Sequence, residues 1–435
     1  MKFLTNIQNT INKIDTNFRN LFYMYLIFVI SVFIVCFIFS ILFIEKYPNI
    51  VDENNRFILS NIGFNFGEIM SNLQKGNGLK ATYFDTNYFV SRMPLLPLTL
   101  NFLYNHVSEN FFIIIFIKNI FFLTIILLIL YNYEIKQKLF FTFISLIILL
   151  YNPHNLVTTL SFNFEESLLN YFIIILFLLF FSELNYKFLF ISFIISLIFF
   201  LKSSMVFLCF GLSIFFFLDN FKKKNFSKFP FFMLILSSLI WGGYSFHKTG
   251  FFAYGTKLVS FNSFTLNHAY NDKFNLIYPK ISPDTLSTEI VNKLPKNITK
   301  NEWKINDYYF EISMDYLKSN PDEFLKGLIK KIQVVFFYFH KDSQFPNNKG
   351  EVLNDFRFSS IPNKIFFIIF VFMIIRNFIL ERSSKNIFIM LFTSLYFFPY
   401  MVGFIYTRHA TSLYMIATFY LFYEYIYKKR LKNYL

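Results

Sequence analysis

The feature that most constrains this chain is a set of long apolar blocks that carry almost no charge. Leu21–Ile44 holds no charged residue at all. A helix needs about 20 predominantly apolar residues to cross a bilayer, and such a helix satisfies its own backbone hydrogen bonds. This block is too long for a signal-peptide core, and no small-residue cleavage site follows it. It reads as a retained anchor. Further blocks are Phe111–Tyr131, Leu139–Tyr151, Leu168–Phe181, Phe188–Leu218, Pro230–Phe246, Ile365–Leu380, Ile387–Tyr406 and Ser412–Tyr427. Phe188–Leu218 is interrupted by Lys202-Ser203-Ser204, which favours two short helices back to back. Met93–Val107 is shorter and holds Pro94 and Pro97, so it either crosses or dips in and returns. The expected fold is an all-α polytopic membrane protein with ten or eleven transmembrane helices.

Composition supports this class. Of the 435 residues 55% are hydrophobic and only 15% charged, against about a quarter in soluble domains. The aromatic share of 23% excludes a disordered chain. Cys36 and Cys209 both lie in apolar runs and make no disulfide or zinc framework.

The net charge of +15 has a topological reading. Lys136–Lys138, Lys222–Lys224 with Lys228, Arg382 to Lys385, the tail Lys428–Arg430 with Lys432, and Lys2, Lys13 and Arg19 mark the cytoplasmic side. The polar stretches 45–92 and 248–364 then face outward. The chain divides into a membrane module (1–247), an outer loop or small domain (248–364) and C-terminal membrane helices (365–435). Lysines of cytoplasmic loops account for much of the basic excess, so nucleic acid is not an expected partner. No Gly-rich phosphate loop, HExxH, CxxC or GxSxG pattern is present. His106, His154, His247, His268 and His340 have no ligand spacing. Pro321 at a helix start, then apolar residues at helical spacing among Lys326, Lys330 and Lys331, predicts a surface helix over 320–339. Residues 56–73 show a similar pattern, and two such helices would cover a site and guide a lipid into it.

Charged groups at apolar segments are costly and are functional candidates for that reason. Asp52 and Glu53 follow the first block, and Asp85 and Arg92 close the same loop. Glu165 and Glu166 open a helix, Lys202 breaks one, and Arg408 and His409 lie in the last outer turn. On this topology all of them share the outer boundary, as an active site for a lipid headgroup requires. A carboxylate there can take the proton of an acceptor hydroxyl, while Arg or Lys neutralises a phosphate leaving group. Sugar transfer from a lipid-linked phosphate needs both. No metal is required, although carboxylates and a phosphate together suit one hard divalent cation. Lys118, inside an apolar run, receives no role.

The stretch Ser91-Arg92-Met93-Pro94-Leu95-Leu96-Pro97 resembles the R-x-P-x-x-P element of multi-spanning glycosyltransferases of the GT-C class, the protein-mannosyltransferase-like and aminoarabinose-transferase-like families. Asp52-Glu53 stands where those families carry an early acidic residue. Asn152-Pro153 with Glu165-Glu166, Lys202-Ser203, Asn320-Pro321-Asp322-Glu323-Phe324 and Arg408-His409 follow in the family's order. Lys202 lacks the usual following proline, and His409 replaces a Tyr. The resemblance implies a polyprenyl-phosphate sugar donor and transfer on the extracytoplasmic face of a prokaryotic inner membrane. Asp52 would be the catalytic base, with Glu53 the alternative. Arg92, Glu165, Glu166, Lys202, Arg408 and His409 would bind the lipid phosphate and substrate. The acceptor stays open among lipid, glycan and protein. A glycan polymerase or ligase and a polysaccharide transporter are the alternatives to a transferase.

Overall fold

A computed structural model describes residues 25–131, 160–218, 226–253, 302–336 and 361–432, with Tyr23, less the short gaps 46, 63–65, 84–85, 91, 163–164, 183 and 403–406. The expected block Leu139–Tyr151 lies outside these residues. The described residues are mostly helical, and among them five helices are long and apolar enough to cross a membrane. They are α1 (Tyr25–Glu45), α4 (Phe111–Tyr131), α8 (Phe229–Thr249), α11 (Ile361–Leu380) and α12 (Ser384–Val402). Three shorter apolar helices stand among them: α5 (Glu166–Phe181), α6 (Lys187–Leu201) and α7 (Val206–Leu218). The last helix, α13, runs Thr407–Lys432.

Helix α5 is the hub. Nearly every residue from Glu166 to Phe180 is buried, because α4, α6 and α13 pack around it. At 1.5 Å per residue it spans about 24 Å, so a helix with all faces covered by protein need not match the full apolar thickness. The peripheral helices behave in the opposite way. Ile27, Phe37 and Leu42 on α1 are exposed, as are Phe372 and Ile379 on α11. Exposed apolar side chains on so many long helices suit a hydrocarbon solvent. Helix α1 runs antiparallel to α4: Tyr25 meets Thr124, Phe33 packs edge-on against Phe116, and Phe43 stacks on Phe111.

The Phe188–Leu218 block divides at Lys202, whose backbone is extended (φ −145°, ψ 119°). One 3-10 turn, Ser203–Met205, then restarts the chain into α7. Met93–Val107 forms α3 (Leu95–His106), and its twelve residues span about 18 Å, too short to cross a bilayer.

Residues 56–73 do not form the single surface helix their apolar spacing suggests. Val51 and Phe57 bridge, Arg56 bridges Asn110, and a 3-10 turn covers Leu59–Asn61. Backbone pairing with 109–110 pulls this stretch extended, and helix α2 begins only at Phe66, running to Gln74. A short hairpin follows, β1 (Ala81–Tyr83) against β2 (Thr86–Tyr88). Within 248–364 two helices are described, α9 (Glu302–Ser319) and α10 (Pro321–Phe336). Helix α10 packs on α11, α12 and α13. Its buried Lys331 donates to the Met401 carbonyl at 3.0 Å, in the last described turn of α12. Leu325, Ile329 and Ile332 form an exposed apolar stripe on α10.

Gly67 shows how tightly α2 is seated. A Cβ there would lie 2.0 Å from the Ser60 carbonyl oxygen, which is backbone and cannot rotate away. Gly67→Ala is expected to destabilise the chain by about 1–3 kcal/mol through this overlap. The same substitution at Gly243, where a Cβ meets open space inside α8, is expected to leave the thermal midpoint unchanged or to raise it slightly, because alanine is the better helix former. Thermal unfolding in detergent compares the two.

Candidate functional site

Six helix ends converge on one buried ionic cluster. Arg92 precedes α3, whose first turn carries Pro94 as cap and Pro97. Proline is tolerated there because first-turn amides have no intrahelical partner, and its fixed φ stiffens the approach. Glu165 and Glu166 open α5, where the helix dipole favours negative charge. Lys202 sits in the α6–α7 break. His409 lies in the first turn of α13, close to the end of α12.

The side chains form a chain of contacts. Arg92 Nη1 lies 3.8 Å from Glu165 Oε1, and Lys202 Nζ lies 3.8 Å from Glu165 Oε2. Lys202 Nζ donates to Glu166 Oε1 at 2.5 Å, and His409 Nε2 approaches the same oxygen at 3.4 Å. All five residues are buried. Aromatic rings wall the cluster: Phe66 of α2 lies 5.1 Å from the Arg92 guanidinium, Tyr400 lies 5.5 Å from Lys202 Nζ, and the His409 ring stacks on Tyr400 at 4.2 Å. Below it, Tyr396 donates to the His409 carbonyl, and Ser412 donates to Asn170 Oδ1 at 2.5 Å. Asn170 stands one helical turn after Glu166, so α5, α12 and α13 are locked together directly beneath the charges.

Two cations face two carboxylates here, and the imidazole sets the balance. With His409 neutral the five side chains sum to zero; protonation adds one positive charge. Removing one partner of such a buried pair strands the other, at a cost of about 3–5 kcal/mol. The arrangement can bind an oxyanion through Arg92 and Lys202, and it can pass a proton between Glu166 and His409.

Asp52 and Glu53 are placed differently. Asp52 Oδ1 accepts the amides of Asn54 (2.9 Å) and Arg56 (2.8 Å), closing a turn in which Asn55 takes φ +58°. Glu53 is exposed. A pocket of about 240 Å³ adjoins Asp52, lined also by Arg56, Ser60, Ser71, Gln74 and Tyr104. Ser71 and Gln74 lie one to two turns along α2 from Phe66, the residue that touches Arg92. About 8–12 Å of helix therefore separates the Asp52 pocket from the guanidinium. Arg408 begins α13 beside His409, and its side chain is outside the described residues, as is Asp85. Among the described residues, no group of three or more His, Cys, Asp or Glu side chains is placed to hold a metal ion.

Sequence reasoning missed Tyr400, Tyr396, Asn170 and Glu302. Asn170 carried a signal, a lone amide in an apolar helix at i+4 from Glu166. The tyrosines carried none in a chain with 28 of them. Glu302 opens α9 and is buried with its Oε1 at 3.5 Å from the Phe89 amide, while Oε2 has no hydrogen-bond partner. It meets the backbone just after β2. The Lys248 ammonium lies 5.9 Å from the Phe89 ring in the same place. The chain matches no family model, no curated protein and no solved structure.

Burial pushes the Glu302 carboxyl up from 4.5 to about 7, outweighing the two backbone amides that favour its ionised form. The folded value exceeds the unfolded one, so this group's contribution to stability is complete below pH 4.5. It is lost as pH rises through 7. The contact between α9 and the backbone of Phe89 and Val90 should therefore be tighter at pH 5 than at pH 8. Protection over residues 86–92, taken as the exchange rate relative to the intrinsic rate at each pH, is expected to fall across that range in the wild type and to stay flat in Glu302→Gln.

Proposed function

We propose that the chain is a membrane glycosyltransferase that moves a sugar from a polyprenyl-phosphate donor to an acceptor on the extracytoplasmic face. The fold would be a GT-C-like bundle of ten or eleven spanning helices with the cluster at its outer boundary. The observation that carries this reading is the meeting of Arg92, Glu165, Glu166, Lys202 and His409, from distant parts of the chain, at helix ends rather than mid-helix. Charges placed so suit a ligand whose lipid tail stays in the bilayer and whose phosphate sits at the boundary.

The roles follow from the chemistry. Arg92 and Lys202 receive the phosphate, with Arg408 supplying further positive charge from the start of α13. Glu165, Glu166 and His409 hold those cations in position. Asp52 takes the proton of the acceptor hydroxyl as its oxygen bonds to the anomeric carbon. The bond from that carbon to the phosphate oxygen breaks, and its electron pair leaves with the phosphate. Attack from the opposite face inverts the anomeric centre. The polar pocket beside Asp52 suits the acceptor.

One observation favours a second assignment of the base within the same reaction. Asp52 Oδ1 is already engaged by two turn amides, and its pocket stands a length of α2 away from Arg92. Glu166, paired with Lys202 and His409, is then the base. Single-turnover transfer from a labelled polyprenyl-phosphate sugar separates the two. If Asp52 is the base, Asp52→Asn lowers transfer about 10²–10⁴-fold with normal membrane insertion. If Asp52 only closes the turn, Asp52→Asn retains most activity and Glu166→Gln abolishes it. Full activity in Asp52→Asn, Glu53→Gln and Glu166→Gln alike would contradict both assignments.

A further inference from the structure

Lys118 is buried inside α4 at 3% exposure and is the one charged residue of that helix. Insertion of a lysine at the centre of a spanning helix costs about 2.5–3.5 kcal/mol, so its retention calls for a compensating role. Its ammonium donates to the Leu160 carbonyl at 3.0 Å and the Ser161 carbonyl at 2.9 Å, and it lies 4.4 Å from the Phe162 ring centroid. The next residue, Asn119, is fully buried and accepts the Tyr171 hydroxyl at 2.6 Å. Tyr171 also stacks on Phe122, one turn further along α4. Leu160 stands five residues before Glu165, and Tyr171 five residues after Glu166.

The geometry points to Lys118 as a positioning residue: with Asn119 it grips the backbone before Glu165-Glu166 and the helix after them, and so sets where both carboxylates stand. The argument is one of leverage. Glu165 and Glu166 belong to a helix start, and helix starts fray unless the preceding chain is tied down. A cation on two consecutive carbonyls ties it at one place. A buried tyrosine-to-amide bond ties it at the other. Both ties come from adjacent residues of one long helix, so α4 acts as a rigid bar on which the Glu165-Glu166 turn is mounted. Glu165 in turn meets Arg92 and Lys202, and Glu166 meets Lys202 and His409. A shift of this turn would misplace every contact in the cluster.

The catalytic part of this inference rests on the proposed glycosyl transfer; the positioning part does not. The test therefore reads both, on the full chain in lipid nanodiscs, for Lys118→Met, Lys118→Arg and Tyr171→Phe. Hydrogen exchange is followed over residues 160–169 and, as reference, over α6 and α11. Transfer kinetics use a polyprenyl-phosphate sugar. Lys118→Met is expected to quicken exchange over 160–169 alone. It should lower kcat about 10²-fold, the usual effect of misplacing a reacting group by an ångström, with the donor KM within about threefold of wild type. Lys118→Arg, which keeps a donor cation, should recover much of both. Tyr171→Phe removes only a hydroxyl and tests the second tie if Lys118→Met does not fold. Unchanged exchange over 160–169 in both Lys118→Met and Tyr171→Phe overturns the proposal. So does an equal rise across all helices, which would mark general loosening. Local quickening in a chain that shows no transfer even as wild type supports the positioning role and overturns the transferase reading.

Discussion

The structure depends on the cost of placing charge in apolar surroundings. Lys202 and Glu166 are both buried, and their 2.5 Å contact joins the α6–α7 break to the start of α5. Neither is tolerable alone in that setting, so each dictates where the other must be. Glu165 extends the pair to Arg92, and His409 extends it to α13. Phe, Leu and Ile contacts between the helices are non-directional. The ionic contacts fix their register. Together these contacts tie the segment before α3, the start of α5, the α6–α7 break and the start of α13 to one another.

The apolar blocks that fall within the described residues were legible as helices because a bilayer tolerates few alternatives for the backbone. The break at Lys202 was legible for the same reason, since a charged residue with two serines cannot sit in the middle of a 31-residue span. The stretch 56–73 was misread. Phe57, Ile58 and Ile62 repeat at helical spacing, yet Arg56 and Phe57 pair with the backbone of Glu109 and Asn110 and a 3-10 turn follows at Leu59–Asn61. That long-range pairing leaves no periodic mark in 56–65. Helix α9 was not foreseen, because its polar sequence carries little amphipathic pattern.

The candidate site was legible as a set of residue types but not as a set of contacts. Arg92, Glu165, Glu166, Lys202 and His409 stand out where charge is scarce. Nothing in the sequence says that Lys202 pairs with Glu166, 36 positions away, or that His409 meets the same oxygen. Asp52 stood out equally, and the structure puts it in a turn beside its own pocket, along α2 from Arg92. The aromatic walls from Phe66 and Tyr400 were invisible against 69 phenylalanines and 28 tyrosines. Lys118 was visible as an anomaly, and only its two carbonyl partners and the neighbouring Asn119 give it a purpose.

The central claim is that the cluster receives the phosphate of a lipid-linked donor. The most direct measurement is an electron cryo-microscopy structure of the full chain in nanodiscs with a polyprenyl-phosphate sugar bound. The account predicts the phosphate within hydrogen-bond distance of Arg92 or Lys202, with the sugar directed toward the Asp52 side of α2. A donor bound with its phosphate away from both cations, and the five-residue cluster unchanged, would contradict it.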